Sequence, residues 1–225
     1  TAEAGYYAVN LKDYGIKAEM TATTRVGVHQ YTFPKSDQAH IILDLKSGIY
    51  NYDEKNVWTI VRVENDSTIT GYRQTSGWAR TRKVYFAMTF SKAFKSYGQE
   101  KQKGQVYRGF WGRFDQEHNF PQMAGNDLRL YFDFDTEANE AIQVKMALSP
   151  VSTEGALKNM EAEVPGWDFN AVKQQARDTW NKELQKVTVE TLEESDKVNL
   201  YTAMYHAFLG PTVYMDVDGK YMGLD

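Results

Sequence analysis

Alternation of apolar and polar positions dominates the first two-thirds of the chain. Ile16, Ala18, Met20 and Ala22 face one way, and Lys17, Glu19, Thr21 and Thr23 face the other. A period of two is the signature of a strand with one buried face. Val84, Phe86, Met88 and Phe90 repeat it, as do Leu128, Leu130, Phe132 and Phe134 against Arg129, Tyr131, Asp133 and Asp135. Ile142, Val144, Met146 and Leu148 close the series, and residues 40–45 and 57–63 are shorter runs. Polar turns such as Tyr14-Gly15 and Glu64-Asn-Asp-Ser67 separate them. Many short strands with polar turns predict antiparallel sheets packed as a sandwich.

The period changes near residue 152. Ala156 to Glu161 reads as a short helix that Pro165-Gly166 ends, and Asp168 is an N-cap for the next. Val172, Ala176, Trp180, Leu184 and Val187 recur at three- and four-residue steps, so they form one face of an amphipathic helix. Thr191-Leu-Glu-Glu194 matches a capping box. The helix after it is expected to bury Val198, Tyr201, Tyr205 and Phe208 and to stop at Gly210-Pro211. The domain boundary is therefore expected near 163, with a β-domain over 1–163 and a helical segment over 164–225.

Aromatic residues make up 14% of the 225 residues, which suits a pleated, half-buried surface. The net charge of −4, with mixed signs, offers no basic field for nucleic acid. No apolar run approaches the roughly 20 residues of a membrane span. The absence of cysteine excludes disulfides, thiolate metal sites and a cysteine nucleophile.

The best candidates for chemistry are Asp216, Asp218 and Asp225, three carboxylates beside Gly219 and Gly223. Such a loop suits sugar hydroxyls or a hard cation, or is an Asx-stabilised turn. Its spacing does not fit an EF-hand. His206 reads as a packing residue or a catalyst. Asp115-Gln-Glu-His118 collects ligand types on a segment that also reads as a solvated loop. His29 and His40 lie in predicted strands without companion ligands. Trp78, Trp111 and Trp167 each offer a ring face to a pyranose or pack internally. Gly104, Gly109 and Gly112 do not form a phosphate loop, since no strand-to-helix junction follows them. No pair of carboxyl groups stands out as the acid and base of glycoside hydrolysis, so no catalytic residue is nominated, and no metal ligand either.

Several segments together resemble a known family. Tyr201-Thr-Ala203, Tyr205-His206, Leu209 and Pro211, followed by Asp216-Val-Asp-Gly219, Tyr221 and Gly223, resemble the start of the helical catalytic domain in family-92 glycoside hydrolases. These are calcium-dependent, inverting α-mannosidases of gut Bacteroidetes. Ala4-Gly-Tyr-Tyr7, Ile16 to Thr23, Arg25 to Phe33, Gly71-Tyr-Arg73 and Gly77-Trp78 are similar to that family's amino-terminal β-domain. Glu161-Ala-Glu-Val-Pro-Gly-Trp-Asp168 is similar to the start of its linker helices.

The resemblance implies a mainly β fold: an antiparallel β-sandwich, linker helices and the first helix of an (α/α) toroid. It implies an exo-acting α-mannosidase, with α-1,2-linked mannose as the expected target, working by inversion in the periplasm or outside the cell. Mannose-containing glycans and the protein's own C-terminal helical domain are the implied partners. Relative to the family pattern the chain is expected to be truncated at both ends. The general acid, the base and the calcium motifs then fall beyond Asp225, so calcium is expected in the parent enzyme and not in this piece. Asp225, Asp216 and Asp218 remain as substrate-binding candidates. The alternative is a β-sandwich that binds carbohydrate or serves structurally, with no chemistry of its own.

Overall fold

The computed structural model describes residues 1–48, 55–77, 82–100 and 121–223. Among the described residues, twelve strands precede three helices. Every strand pair is antiparallel. The strands are β1 (Ala2–Glu3), β2 (Tyr6–Leu11), β3 (Ile16–Ala22), β4 (Val26–Phe33), β5 (Ser36–Asp44) and β6 (Asn56–Val63). They continue with β7 (Thr68–Thr75), β8 (Arg82–Phe90), β9 (Ser96–Gln99), β10 (Gln122–Gly125), β11 (Arg129–Thr136) and β12 (Glu140–Ser149). Nine of them form one sheet in the order β1-β2-β3-β4-β12-β8-β7-β6-β10, and β5-β11-β9 form a second.

The two sheets enclose the main core. Phe132, Phe134, Leu128 and Leu130 come from the small sheet's side, and Ile69, Val61, Met123 and Ile142 from the large one; all are essentially inaccessible to water. Phe90 stacks obliquely or edge-on against Phe132 and Phe134, with ring centroids 5.3 and 5.4 Å apart. Gly71 belongs to this close packing: a Cβ there would stand 2.8 Å from the Phe86 ring.

The helices α1 (Thr153–Glu163), α2 (Phe169–Leu184) and α3 (Glu194–Phe208) follow. α1 lies on the outer face of β12 and β8, and α2 lies on β3, β4 and β2. A second core forms there from Val26, Val28, Ala87 and Ala147 with Ala156, Met160, Val164, Phe169 and Val172. The middle strands are thus covered on both faces. This differs from the half-exposed strands that the alternation predicts. Small residues on the reverse face, Ala87 and Ala147, let α1 come close.

Lys145, on the same face, is 6% exposed. Its ammonium donates to the Val164 carbonyl at 2.9 Å and lies 4.2 Å from the centroid of the Trp167 ring. Burial lowers its pKa. Leu148, expected to face the core, is 48% exposed, because the buried face of β12 changes to Ala147 and Ser149 beneath α1. On β3, Glu19 and Thr21 are buried on the face expected to meet water. The Tyr6 hydroxyl donates to Glu19 at 2.6 Å, and that bond is the main reason the Tyr6 phenol is pushed up to about 12.

Asp168 caps α2 as expected, its carboxylate accepting from the Ala171 amide at 2.9 Å. The helix docks through Phe169, Val172 and Ala176. Gly5 (φ +83°) admits it: a Cβ there would stand 3.0 Å from the Trp180 ring and 3.1 Å from the Ala176 methyl.

Two expectations fail at α3. Thr191 is not its N-cap; the Thr191 hydroxyl accepts from the Glu193 amide at 3.2 Å and bonds the Asp196 carboxylate, so the chain turns before the helix begins. None of its residues is buried: Val198 and Phe208 are 58% and 45% exposed, and Tyr201 and Tyr205 are half-buried. The helix meets α2 and the turn that follows it: the Tyr205 ring lies 4.6 Å from Trp180 and the Tyr201 hydroxyl donates to the Val187 carbonyl.

Candidate functional site

The segment after α3 returns to the sandwich, and one buried polar network holds it there. Asp216 is 2% exposed, Asn159 on α1 is 0% and Ser149 at the end of β12 is 2%. The Ser149 hydroxyl donates to Asp216 Oδ2 at 2.8 Å, and Asn159 Nδ2 donates to Asp216 Oδ1 at 2.8 Å. Asn159 Nδ2 also donates to the Leu148 carbonyl, and its Oδ1 accepts from the Val217 amide at 2.9 Å. One asparagine thus ties β12, α1 and the terminal loop together. Buried polar groups cost free energy unless bonded, and here each of these bonds is made.

Gly155 explains the close approach. Its position beneath the loop leaves no room for a Cβ, which would stand 2.6 Å from Ser149 Oγ and closer still to the Asp216 carboxylate. The loop itself closes by two backbone bonds, Asp216 amide to Lys220 carbonyl at 2.8 Å and Gly219 amide to Asp216 carbonyl at 2.9 Å. Gly219 sits at φ +80°, a conformation that suits glycine.

Arg25 makes a second fastening. Its Nε donates to the Met215 carbonyl at 2.7 Å and its Nη1 to Glu163 at 2.6 Å. Glu163 also accepts from the Arg25 amide and the Thr23 hydroxyl. The guanidinium therefore links the β3–β4 turn, the end of α1 and the loop.

Of the predicted site residues, Asp216 turns inward with both carboxylate oxygens occupied by protein donors. Asp218 stands at the surface between Lys158 (3.4 Å) and Lys220 (3.2 Å). The bond from Lys220 is the main reason its carboxyl is held below the ordinary range. Asp225 lies outside the described residues, as do Trp78, Trp111, Asp115 to His118, and the glycines 104, 109 and 112. Trp167 sits over Lys145 at the start of α2. His206 is exposed beside the Tyr205 ring, and His40 is exposed on β5.

Among the described residues, no three His, Asp or Glu side chains come together as a metal set. The two described loop carboxylates, engaged as they are, do not fit the calcium ion that the family resemblance implies. No described helix is long and apolar enough to cross a membrane.

A cleft of about 990 Å³ opens between β1–β4 and the helices α2 and α3. Tyr6, Met20 and His29 line one side and Trp180, Tyr201 and Tyr205 the other. His29 Nδ1 is 2.9 Å from the Tyr31 hydroxyl, and burial lowers the pKa of its imidazole. The loop's rim, with Tyr214, Met215, Val217 and Tyr221 exposed, presents aromatic and apolar surface beside Asp218.

Reading the sequence alone misses Ser149, Asn159, Arg25 and Glu163, which hold the loop. The one local signal is Gly155, a helix-weakening residue in the first turns of α1.

Comparison with known proteins gives this arrangement its relatives. A curated "uncharacterized secreted glycosidase" of Arthroderma benhamiae is 26% identical over 95% of this chain and 29% of its own length. A solved family-92 alpha-mannosidase of Bacteroides thetaiotaomicron is 40% identical, with a TM-score of 0.84 over 98% of this chain and 29% of that one. A family-92 inverting mannosidase of the same species, 23% identical with a TM-score of 0.81 over 99% of this chain and 28% of that one, shares the fold. The chain thus spans under a third of the length of these relatives. Residues 1–149 match the model of the glycosyl hydrolase family 92 N-terminal domain, and residues 155–225 match that of the family 92 catalytic domain. The fold of antiparallel sandwich and following helices is therefore shared, and the chain belongs to glycosyl hydrolase family 92.

Proposed function

We propose that the full-length protein is an exo-acting α-mannosidase that removes α-1,2-linked mannose from glycan ends with inversion. In this reading the present chain supplies the sandwich, the linker helices and a loop that borders the sugar. The observation that carries it is the double fastening of the loop, at Met215 by Arg25 and at Asp216 by Asn159 and Ser149. A loop fixed from two directions can hold a sugar ligand to the tolerance that catalysis requires. Family membership and the 40% identical alpha-mannosidase support the substrate class.

Geometry separates the two described carboxylates, and the resemblance to the family nominates Asp225. Asp216 works from beneath as a positioning residue, Asp218 stands at the rim, and Asp225 is the carboxylate proposed to meet a mannose hydroxyl. The exposed apolar residues Val198, Phe208, Leu209, Val213 and Tyr214 form the contact surface for the protein's own C-terminal helical domain. That domain is proposed to carry the acid, the base and the residues that hold calcium. The site works in the periplasm or outside the cell, a reading supported by the secreted relative.

The test is release of phenol from an aryl α-mannoside. The full-length protein turns over and loses activity to a chelator, whereas the 225-residue chain alone does not turn over, with or without added calcium. Asp225→Ala in the full-length protein lowers kcat/KM by roughly ten- to a hundredfold, the worth of one charged hydrogen bond. Turnover by the isolated chain overturns this division of labour. A full-length protein that is inert toward α-mannosides in the presence of calcium overturns the activity itself.

A further inference from the structure

The outer face of the small sheet, opposite the main core, carries an ordered set of side chains that the loop and its chemistry do not use. Register places them in three rows across the strands. Arg129 lies opposite Asp44, Tyr131 lies between Ile42 and Gly98, and Asp133 lies between His40 and Ser96. Neighbouring rows are two residues apart, or roughly 6.7 Å.

The middle row is apolar. Tyr131 is 39% exposed and Ile42 is 58% exposed. Gly98 lets the Tyr131 ring lie flat across β9: a Cβ there would meet the phenol, with Cε2 at 3.0 Å. The phenol end of the ring therefore rests on the β9 backbone, and the side chain keeps exposed surface beyond it.

The flanking rows are polar and already organised. Arg129 Nε bonds Asp44 at 3.1 Å and its Nη1 bonds Glu100 at 3.0 Å. The Asp44 carboxylate is also fixed by the Lys46 and Ser47 amides, at 2.9 Å each. The Ser96 hydroxyl donates to Asp133 at 2.7 Å. Together the rows bound a groove of about 610 Å³.

We propose that this face is a second glycan-binding surface, on which Tyr131 stacks against one hexopyranose of a mannose-rich chain while the Glu100 and Asp133 carboxylates beside it accept its hydroxyls. The choice of mannose-rich glycan rests on the proposed function above; the choice of a sugar rests on the face itself. Three carboxylates (Asp44, Glu100, Asp133) stand against one guanidinium, an acidic excess that repels phosphates and nucleic acid. An apolar centre of one ring and one aliphatic side chain is far smaller than the roughly 800 Å² per partner of a stable protein interface. An exposed aromatic ring between hydrogen-bonding rims matches a pyranose, which has an apolar C–H face and a polar perimeter.

The experiment measures retardation of the full-length protein in gels containing soluble α-mannan, alongside hydrolysis of an aryl α-mannoside by the same preparations. Tyr131→Ala weakens mannan retention roughly tenfold, as loss of one stacking contact does, with aryl mannoside kcat/KM unchanged. Tyr131→Phe keeps retention, because the ring remains. Ile42→Glu leaves the ring on Gly98 undisturbed and puts a charge beside it, so it weakens retention without a folding defect. Mannan retention unchanged in both Tyr131→Ala and Ile42→Glu overturns the proposal, as does a wild-type protein that binds no mannan. A protein that binds mannan through Tyr131 but hydrolyses nothing keeps this surface and overturns the mannosidase reading instead.

Discussion

Replacing Asn159 with alanine tests whether the terminal loop is held from beneath. The side chain makes three hydrogen bonds, to the Leu148 carbonyl, to Asp216 Oδ1 and from the Val217 amide. Neutral bonds of this kind contribute about 1 kcal/mol each and a bond to a charged group about 1.5–3 kcal/mol. The substitution also removes one of the two side-chain donors of a carboxylate that is only 2% exposed. The expected loss is therefore about 3–5 kcal/mol.

The loss falls on the loop, because the sandwich keeps its own two cores, so local opening is the right readout. The Gly219 amide, bonded to the Asp216 carbonyl within the loop, reports it without being a partner of Asn159. Three kcal/mol raises its hydrogen exchange on the order of a hundredfold, since each 1.4 kcal/mol is a factor of ten. Asn159→Asp does at least as much at pH 7, because it sets a second carboxylate against Asp216. Gly219 exchange within threefold of wild type in both variants refutes the reasoning, and the loop is then held mainly by Arg25.

Trp180→Ala removes a half-buried ring that fills the space over Gly5 and stacks on Tyr205. The cost is about 2–3 kcal/mol, below that of a fully buried Trp. The unfolding midpoint of the chain falls by roughly 4–12 °C, and an unchanged midpoint means that α2 is not docked through this face. His29 gives a pH signature. Its imidazole is held neutral by burial, so its folded pKa lies below the unfolded value of about 6.5. The unfolded chain then binds more protons in acid. This contribution to stability is complete above about pH 6.5 and is lost as pH falls through the lowered folded pKa. The midpoint drops from pH 7 to pH 5 and His29→Gln flattens the drop, whereas equal slopes in both proteins assign the dependence to other groups.

Much of the sandwich was legible because its apolar positions alternate cleanly. Leu130, Phe132 and Phe134 fall on the buried face as the pattern requires. What periodicity conceals is a second layer on the reverse face. Ala87, Ala147 and Ser149 read as weak or solvent-facing positions, yet they are the small residues that admit α1.

The helices follow the same division. Asp168 was readable as a cap because the capping bond is local, three residues away. Thr191 departs from its capping-box pattern because its hydroxyl takes the Glu193 amide and the Asp196 carboxylate as partners. The apolar face of α3 was read as buried, but its pattern only shows that a partner is wanted, not which residues supply it.

The loop carboxylates show the same limit. Asp216 and Asp218 are two residues apart in one acidic motif, yet one faces Asn159 in the interior and the other faces lysines in solvent. The difference is set by Ser149, Asn159 and Gly155, which lie more than 55 residues away in the chain, where no spacing rule reaches.

The stereochemistry of the first product tests the central claim most directly. The full-length protein is mixed with an α-1,2-linked mannobioside in deuterated buffer and the anomeric protons are followed by NMR from the first seconds. Inverting hydrolysis of an α-linkage releases β-mannose first, and the α-anomer then grows only at the rate of spontaneous mutarotation. The account predicts that order. α-Mannose appearing first, or no mannose at all with calcium present, contradicts it.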